Sequence, residues 1–542
     1  MKVDLLITDA EFLTQDPTRP VAHTAAVLGG RIIALDADCQ GLRPRRTVRA
    51  EGAVIVPGFN DAHAHSVWFG TSLLEADLSA CESLGSVYDR IAAHARAKAP
   101  DEWVVASGFN QMDTGGEYPD PGELDRASDG RPVWIKHTSG HACLVSAAAM
   151  RALAITGSEQ FEGGRVVVDA QGRPTGVLEE TAMSLVQEHM LPLSETEIVA
   201  ALAAAHRVYA ADGLTSVTDA GIAGGWIGHS PAELGAYQAA RQEGVLAART
   251  QVMIASDVLS DIAAGEDTFH GLPTGIRSGF GDDRLSLGPV KTFLDGSILG
   301  NTARMSTGYA NCPTNHGYFQ ADPELMRTRA VRAAKSGWAL AMHAVGDEAI
   351  DLAIAILTEV RGIAPPLPHR IEHGGVVTPE QLQTLAALGA TIVSQPHFMR
   401  AYGDGFRGYI GDERTHWSFR SASQLRAGMA LAGSSDRPVA PGAPLEVMTS
   451  AIHRRTSSGW VYGPEERLTP AQALRAYTAG SAHVTGWAGQ KGVIAPGYLA
   501  DFAVLDASPL DHDPNQTRVL ATLVGGEVVF DDSGPWEGTV DR

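Results

Sequence analysis

Six side chains of types that can take part in a metal site recur at comparable places along this sequence: His63, His65, Lys291, His343, His373 and Asp436. Each lies within or just past a short apolar run, as in Met342-His343-Ala344 and Ala432-Gly433-Ser434-Ser435-Asp436. Alternate residues of an extended segment point the same way, so His63 and His65 of Asp61-Ala62-His63-Ala64-His65 can aim two imidazoles at one ion. Imidazole nitrogens bind zinc at about 2.0–2.1 Å, and a catalytic site keeps one position open for water. A bound divalent cation lowers the pKa of that water towards about 7. An aspartate beside it, Asp436, is placed to ligate the cation and to shuttle the water's proton. Singly, each residue also reads as a packing or loop-orienting side chain, and Lys291 as one that snorkels to the surface. What carries the chemistry is their joint occurrence after separate strands.

Residues so far apart need a scaffold that brings strand ends to one mouth. Eight strand candidates alternate with helical stretches: 53–57, 215–218, 250–255, 287–294, 339–342, 370–372, 390–394 and 429–432. Helix starts are marked by proline followed by a polar or acidic residue at Pro323-Glu324, Pro379-Glu380 and Pro470-Ala471-Gln472. This pattern predicts an α/β fold with a (β/α)₈ TIM-type barrel, although a doubly wound sheet has the same local pattern. Both chain ends read as short β segments, including a hairpin at Gly525-Gly526, and each is too short to bury a core alone. They are expected to pair into one small composite β-sandwich domain, 1–56 plus 485–542, around a barrel of 57–484. Residues 81–196 break the barrel rhythm and carry a strand of their own, Val133-Trp134-Ile135. They are expected to form a large insertion after the first barrel strand, as a lid or as a decorative subdomain.

Bulk properties exclude several classes. With 42 basic against 63 acidic residues, a net charge of −21, the chain is a poor partner for nucleic acid or anionic membrane, and a small molecule is the expected substrate. No run of about 18 apolar residues marks a membrane span, and the N-terminus lacks the basic and apolar regions of a signal peptide. The four cysteines are far apart and form no CxxC pair, so they read as reduced core thiols of a cytoplasmic protein. Trp68, Phe69, Phe109, Trp134 and Tyr309 are candidates for an aromatic-tolerant pocket or for core packing.

Ile55-Val56-Pro57-Gly58-Phe59-Asn60-Asp61-Ala62-His63-Ala64-His65 resembles the opening motif of the amidohydrolase superfamily. The likeness continues through Lys291-Thr292-Phe293-Leu294-Asp295-Gly296-Ser297, the His343 and His373 segments and Ser434-Ser435-Asp436, and ends at Gly492–Phe502. Within the superfamily, the Lys291–Ser297 stretch, Pro174–Glu180 and the long insertion resemble the YtcJ-like branch (amidohydrolase family 3), which includes N-substituted formamide deformylases. The resemblance implies metal ligation by His63, His65, His343 and His373, with Asp436 as ligand and proton shuttle. It also places Lys291 where binuclear relatives carry a carboxylated lysine, an anionic two-oxygen ligand that bridges two metals. One or two divalent ions, zinc first, are therefore expected; with one ion, His373 would instead hydrogen-bond the attacking water or the carbonyl. His141, Glu180 and Asp295 are the candidates to touch substrate. Many members of the branch have an asparagine where Ser146 stands, which leaves the substrate open.

The implied reaction is hydrolysis of a C–N, amide-type bond by metal-activated hydroxide, on an N-substituted formamide or related N-acyl amine. A deaminase of a cyclic amidine, an ester-type hydrolase and a non-catalytic metal-binding scaffold are the other readings. A homodimer is compatible with the resemblance.

Overall fold

The computed structural model describes residues 1–137, 142–161, 164–224, 227–264, 267–363, 367–532, 536 and 539–540. Residue contacts divide the chain into two compact units, Met1–Ser66 with Ala205–Arg542, and Val67–Ala204.

The first unit is built on seven parallel strands: β1 (Phe59–Ala64), β2 (Leu214–Ile222), β3 (Arg249–Ala255), β4 (Leu285–Phe293), β5 (Leu340–Ala344), β6 (Arg370–His373) and β7 (Thr391–Val393). They hydrogen-bond in sequence order, and β1, β2 and β3 are buried along their whole length, as strands covered on both faces must be. The segment expected as an eighth strand, 429–432, contributes a single parallel bridge, Ile392 to Leu431. On its far side Ala62 N–H donates to Gly433 C=O at 3.1 Å and Asp436 N–H to His63 C=O at 2.7 Å. The ring is thus nearly closed by loop backbone, where a Gly-Ser-Ser run has little strand propensity.

The helix starts fall where the proline signals place them. Helix Pro323–Lys335 is capped by Asp322, whose side chain accepts from Leu325 N–H. Helices Pro379–Ala387 and Pro470–Arg475 begin with reciprocal capping boxes, Thr378 with Gln381 and Thr469 with Gln472. Between β3 and β4 the crossover carries a hairpin, Ser260–Ala264 with Asp267–Gly271.

One sequence expectation needs correcting. The run at 53–57 is not the first barrel strand: Val54–Pro57 pairs antiparallel with Phe502–Leu505 and belongs to the small sheet. The barrel strand starts two residues later, after Gly58, whose Cβ would fall 2.1 Å from Thr215 Cγ2. Both chain ends share that small sheet, and a second sheet formed by Lys2–Thr8, Ala25–Leu28, Arg31–Leu35 and Arg43–Arg49 packs with it around one core. Leu5, Ile7 and Val27 from one sheet and Phe12, Ile55 and Phe502 from the other are all buried there. Gly525 and Gly526, at φ 63° and 79°, make the two-residue turn between Val519–Val524 and Glu527–Asp531.

The second unit, Val67–Ala204, has its own six-stranded sheet running from Ala76–Asp77 through Val104–Phe109, Val133–His137, Ala142–Val145 and Pro174–Glu180 to Gly164–Val168. Its core includes Ile91, Phe109, Ile135 and Leu144. Phe109 is therefore packing, and Tyr309 is likewise fully buried in a cluster with Met399 and Phe406. Cys39, Cys81 and Cys143 are buried thiols, whereas Cys312 is exposed. No helix among the described residues is long and apolar enough to cross a membrane.

Candidate metal centre

The ends of β1, β4, β5 and β6 and the Ser434–Asp436 loop bring the candidate residues together. His63, third in Asp61-Ala62-His63, lies in β1, and His65 follows it at the same facing, as the alternation requires. Their Nε2 atoms stand 3.2 Å and 3.0 Å from the same oxygen, Asp436 Oδ1. His373 Nδ1 is 4.0 Å from Asp436 Oδ2, and His63, His373 and Asp436 offer ligand atoms within 4.8 Å of one another. The His343 ring lies 4.5 Å from the His373 ring, centroid to centroid. Lys291 is 1% exposed in β4, with Nζ 4.8 Å above the Phe293 ring.

Three of the imidazoles, those of His63, His343 and His373, have their tautomers set by what the other nitrogen touches. His63 Nδ1–H donates to Glu372 Oε2, which turns Nε2 towards Asp436 Oδ1. Glu372 is itself gripped by Arg370, at 2.5 Å from Nε and 2.9 Å from Nη2, and Arg370 also donates to Ala62 C=O at 2.6 Å. His343 Nε2 donates to Gly296 C=O at 3.0 Å, so Nδ1 holds its lone pair. For His373 the partner is Gln395 Oε1 at 2.8 Å; because Gln395 Nε2 donates to Val393 C=O and Ser434 Oγ, the oxygen must be the atom facing His373 Nδ1–H. A carboxylate or carbonyl behind His63, His343 and His373 is the arrangement that orients metal-binding imidazoles.

Burial pushes His65 below the ordinary histidine value, His343 well below it, and His373 down to about 3. All three are held neutral, the form that ligates. Burial also lowers Lys291, to about 8, so a share of its amine is unprotonated near neutrality. Burial opposes ionisation of Asp436, but the adjoining His63 and His65 hold its carboxyl well below the usual range. Around His63 two carboxylates, Asp436 and Glu372, outweigh burial and the Lys291 charge and favour a positive charge there.

The donor set fits a divalent cation. His63 Nε2, His343 Nδ1 and Asp436 Oδ1 are buried atoms without a hydrogen-bond partner among the described residues. Buried polar atoms are nearly always satisfied, and three orphans at one strand-end cluster are what an ion would satisfy together. The backbone is strained at the same place: His373 and Asp436 have φ of 72° and 58°. Left-handed residues that are not glycine cost on the order of 1–3 kcal/mol and concentrate at functional sites.

Other residues fall differently from expectation. Asp295 does not face substrate: it is fully buried, and its carboxylate accepts backbone N–H bonds from Val345 (3.0 Å), Gly346 (2.8 Å) and Arg304 (2.9 Å). It fastens the loop after β4 to the loop after β5. His141 lies outside the described residues, and so does the side chain of Glu180, at the end of Pro174–Glu180. Sequence reasoning also passed over Glu372, Arg370, Gln395 and Asp61. Arg370 and Glu372 carry a signal, since two opposite charges at i and i+2 in a four-residue buried strand must face the same way and pair. Asp61 ties β1 to the Asp436 loop, accepting from His63 N–H and Ser435 N–H at 3.1 Å each.

Comparison with known proteins agrees with this geometry. The model of the amidohydrolase family matches residues 46–530. The chain is 29% identical over 497 residues to a Bacillus subtilis (strain 168) protein that bears the amidohydrolase name YtcJ, covering 90% of each. It is 29% identical over 556 residues to the N-substituted formamide deformylase of Arthrobacter pascens, covering 98% of this chain and 99% of that one. Among solved structures, an uncharacterized metal-dependent hydrolase from Pyrococcus horikoshii OT3 superposes with a TM-score of 0.78 at 23% identity, over 94% of this chain and 99% of that one, a likeness of fold.

Proposed function

We propose, from the premise that this chain belongs to the amidohydrolase family and is a metal-dependent hydrolase of that superfamily, that it cleaves the C–N bond of an N-substituted formamide or a related N-acyl amine. The observation that carries this reading is the buried His63, His373 and Asp436 cluster with its orphaned ligand atoms. The Arthrobacter pascens relative supports the substrate class, since its name specifies N-substituted formamides and the likeness spans nearly all of both chains.

His63, His65 and Asp436 would hold one cation. His343 and His373 would hold a second, with Lys291 between them as a carboxylated, two-oxygen ligand. Imidazole and carboxylate donors suit zinc best. Bound there, a divalent cation supplies acidified water and polarises a carbonyl. The chain's own part is proton handling and orientation. Asp436 accepts the proton that the attacking water loses as its oxygen bonds to the acyl carbon, and delivers it to nitrogen as the C–N bond breaks. Formate, or the longer carboxylate, and the free amine are the products. Glu372 and Gln395 keep His63 and His373 in the tautomers described above.

A screen of N-formyl and N-acyl amines against the zinc-, manganese- and cobalt-loaded protein tests the reaction. Amine release from formamides is expected; ammonia release from cyclic amidines, with formamides untouched, would replace this reading by a deaminase. Metal analysis tests the pair of sites. Two equivalents per chain are expected, falling to one or fewer in Lys291→Ala, together with loss of a ¹³C-bicarbonate-derived carbamate signal. One equivalent in the wild type, retained by Lys291→Ala, overturns the bridged pair.

A further inference from the structure

The chain carries 42 basic and 63 acidic residues, yet one cleft reverses that balance. A cavity of about 640 Å³ is lined by five arginines, Arg31, Arg45, Arg46, Arg249 and Arg284, against three carboxylates, Asp4, Asp283 and Glu527. Its walls come from the small β domain and from the starts of barrel strands: Arg249 is the first residue of β3 and Arg284 immediately precedes β4. The candidate metal residues lie at the other ends of parallel strands, so this cleft belongs to the opposite face of the barrel.

The arginines are positioned rather than scattered. Arg46 Nη2 donates to Gly526 C=O and Arg31 Nη1 to Gly497 C=O, both at 2.8 Å. Arg249 is buried and its guanidinium is fully engaged, by Asp501 at 2.8 and 3.0 Å and Asp283 at 2.6 Å. Arg45 and Arg284 are different. Arg45 stands 3.7 Å from Asp4 and Arg284 3.9 Å from Glu527, distances beyond a hydrogen bond. Among the described residues their forks keep donors to spare, and Arg45 is 75% exposed.

Glycine keeps the floor of the cleft open. A Cβ on Gly525 would lie 3.5 Å from Nη2 of both Arg249 and Arg284 and within 4 Å of Gly30 Cα. The absence of a side chain at Gly525 thus leaves room in front of the Arg284 guanidinium, beside the already engaged Arg249. Facing glycine turns, Gly29-Gly30 and Gly525-Gly526, complete the wall. Volume, an excess of lining guanidinium groups and a cleared floor are features of a small-molecule anion site.

We propose that this cleft binds a small dianionic phosphate compound, with Arg45 and Arg284 as the principal ligands and Arg31 and Arg46 shaping the rim. Guanidinium forks match phosphate oxygens in pairs, and the five arginines outnumber the three lining carboxylates together with Asp501. A polyanion such as nucleic acid is a poor occupant, because beyond the rim it meets a chain of net charge −21.

The test is calorimetric titration of the metal-loaded full chain at fixed ionic strength with inorganic phosphate, glycerol 2-phosphate and succinate. The comparison protein is the double variant Arg45→Gln/Arg284→Gln. The expected result is a phosphate or phosphate-ester Kd below about 1 mM, weakened at least tenfold in the double variant, whose turnover and circular dichroism stay at wild-type values. Binding of the ester but not of inorganic phosphate places a metabolite in the cleft, and the reverse places free phosphate there; both support the site. Equal binding by wild type and double variant assigns the phosphate elsewhere, the metal centre included, and overturns the proposal. So does succinate binding with both phosphates silent, or no binding of any of the three.

Discussion

Replacing Asp436 by asparagine will lower kcat/KM by about 10²–10⁴-fold, the range that a positioned general acid–base contributes, while leaving the fold intact. The substitution keeps the side chain's size and one oxygen. It removes the negative charge that sits 3.2 Å and 3.0 Å from His63 and His65, and with it the carboxylate assigned to take up and return the proton. His343 and His373 would not substitute, because each has one ring nitrogen tied to Gly296 or Gln395 and the other would be taken up as a metal ligand. The measurement is steady-state kinetics beside metal content on the same sample. Full activity with full metal content removes Asp436 from proton transfer; a variant that loses metal as fully as activity makes it a ligand alone. The left-handed backbone at Asp436 adds a second reading: asparagine tolerates φ of 58° better than most residues, so the variant tests charge with little added strain.

Much of this centre could be read before the fold was known, for a physical reason. Residues at strand ends of a barrel converge however far apart they stand in the chain, so the types and spacing of His63, His65, His343, His373 and Asp436 were enough to predict a shared mouth. The structure brings these five together with Lys291. Period-two patterning failed in two places. At 53–57 the apolar run is a strand, but of the small sheet, because Phe502–Leu505 from the other chain end pairs with it, a contact no local pattern encodes. At 429–432 the segment makes a single bridge, Leu431 to Ile392, with Ala62 N–H bonding Gly433 C=O just beyond it, rather than a ladder. Asp295 misled for a related reason. A carboxylate beside a lysine in a strand-end motif looks like a substrate contact, and only the loop geometry shows three backbone N–H groups closing on it. The supporting role of Gln395 was invisible, and that of Glu372 legible only as a pairing with Arg370, because both depend on which nitrogen of a distant histidine they meet.

That support is also where the second large effect is expected. Arg370→Leu will destabilise the protein by about 3–5 kcal/mol, the cost of breaking a buried ion pair from one side. It will also weaken metal binding by about 10–100-fold, as loss of an outer partner does. Arg370 is fully buried and its guanidinium meets both oxygens of Glu372. Burial alone would raise the Glu372 carboxyl; Arg370, then His63, holds it well below the usual value. Without Arg370 the carboxylate keeps His63 as its hydrogen-bond partner among the described residues, with the Lys291 amine nearby, and it either stays charged at high cost or takes a proton and ceases to polarise that imidazole. Ala62 C=O loses its donor as well. Lysine will not restore the site, since a point charge cannot span both carboxylate oxygens and the carbonyl. The double variant Arg370→Leu/Glu372→Gln separates the two contributions. Removing both charges should recover most of the stability measured by denaturant unfolding of metal-free protein, because a buried pair is costly chiefly when half of it is left. Metal affinity should stay low, because glutamine at 372 still accepts from His63 Nδ1–H but no longer makes that ligand more basic. If affinity recovered together with stability, the Arg370–Glu372 pair would serve the fold alone and His63 would not depend on it as a ligand.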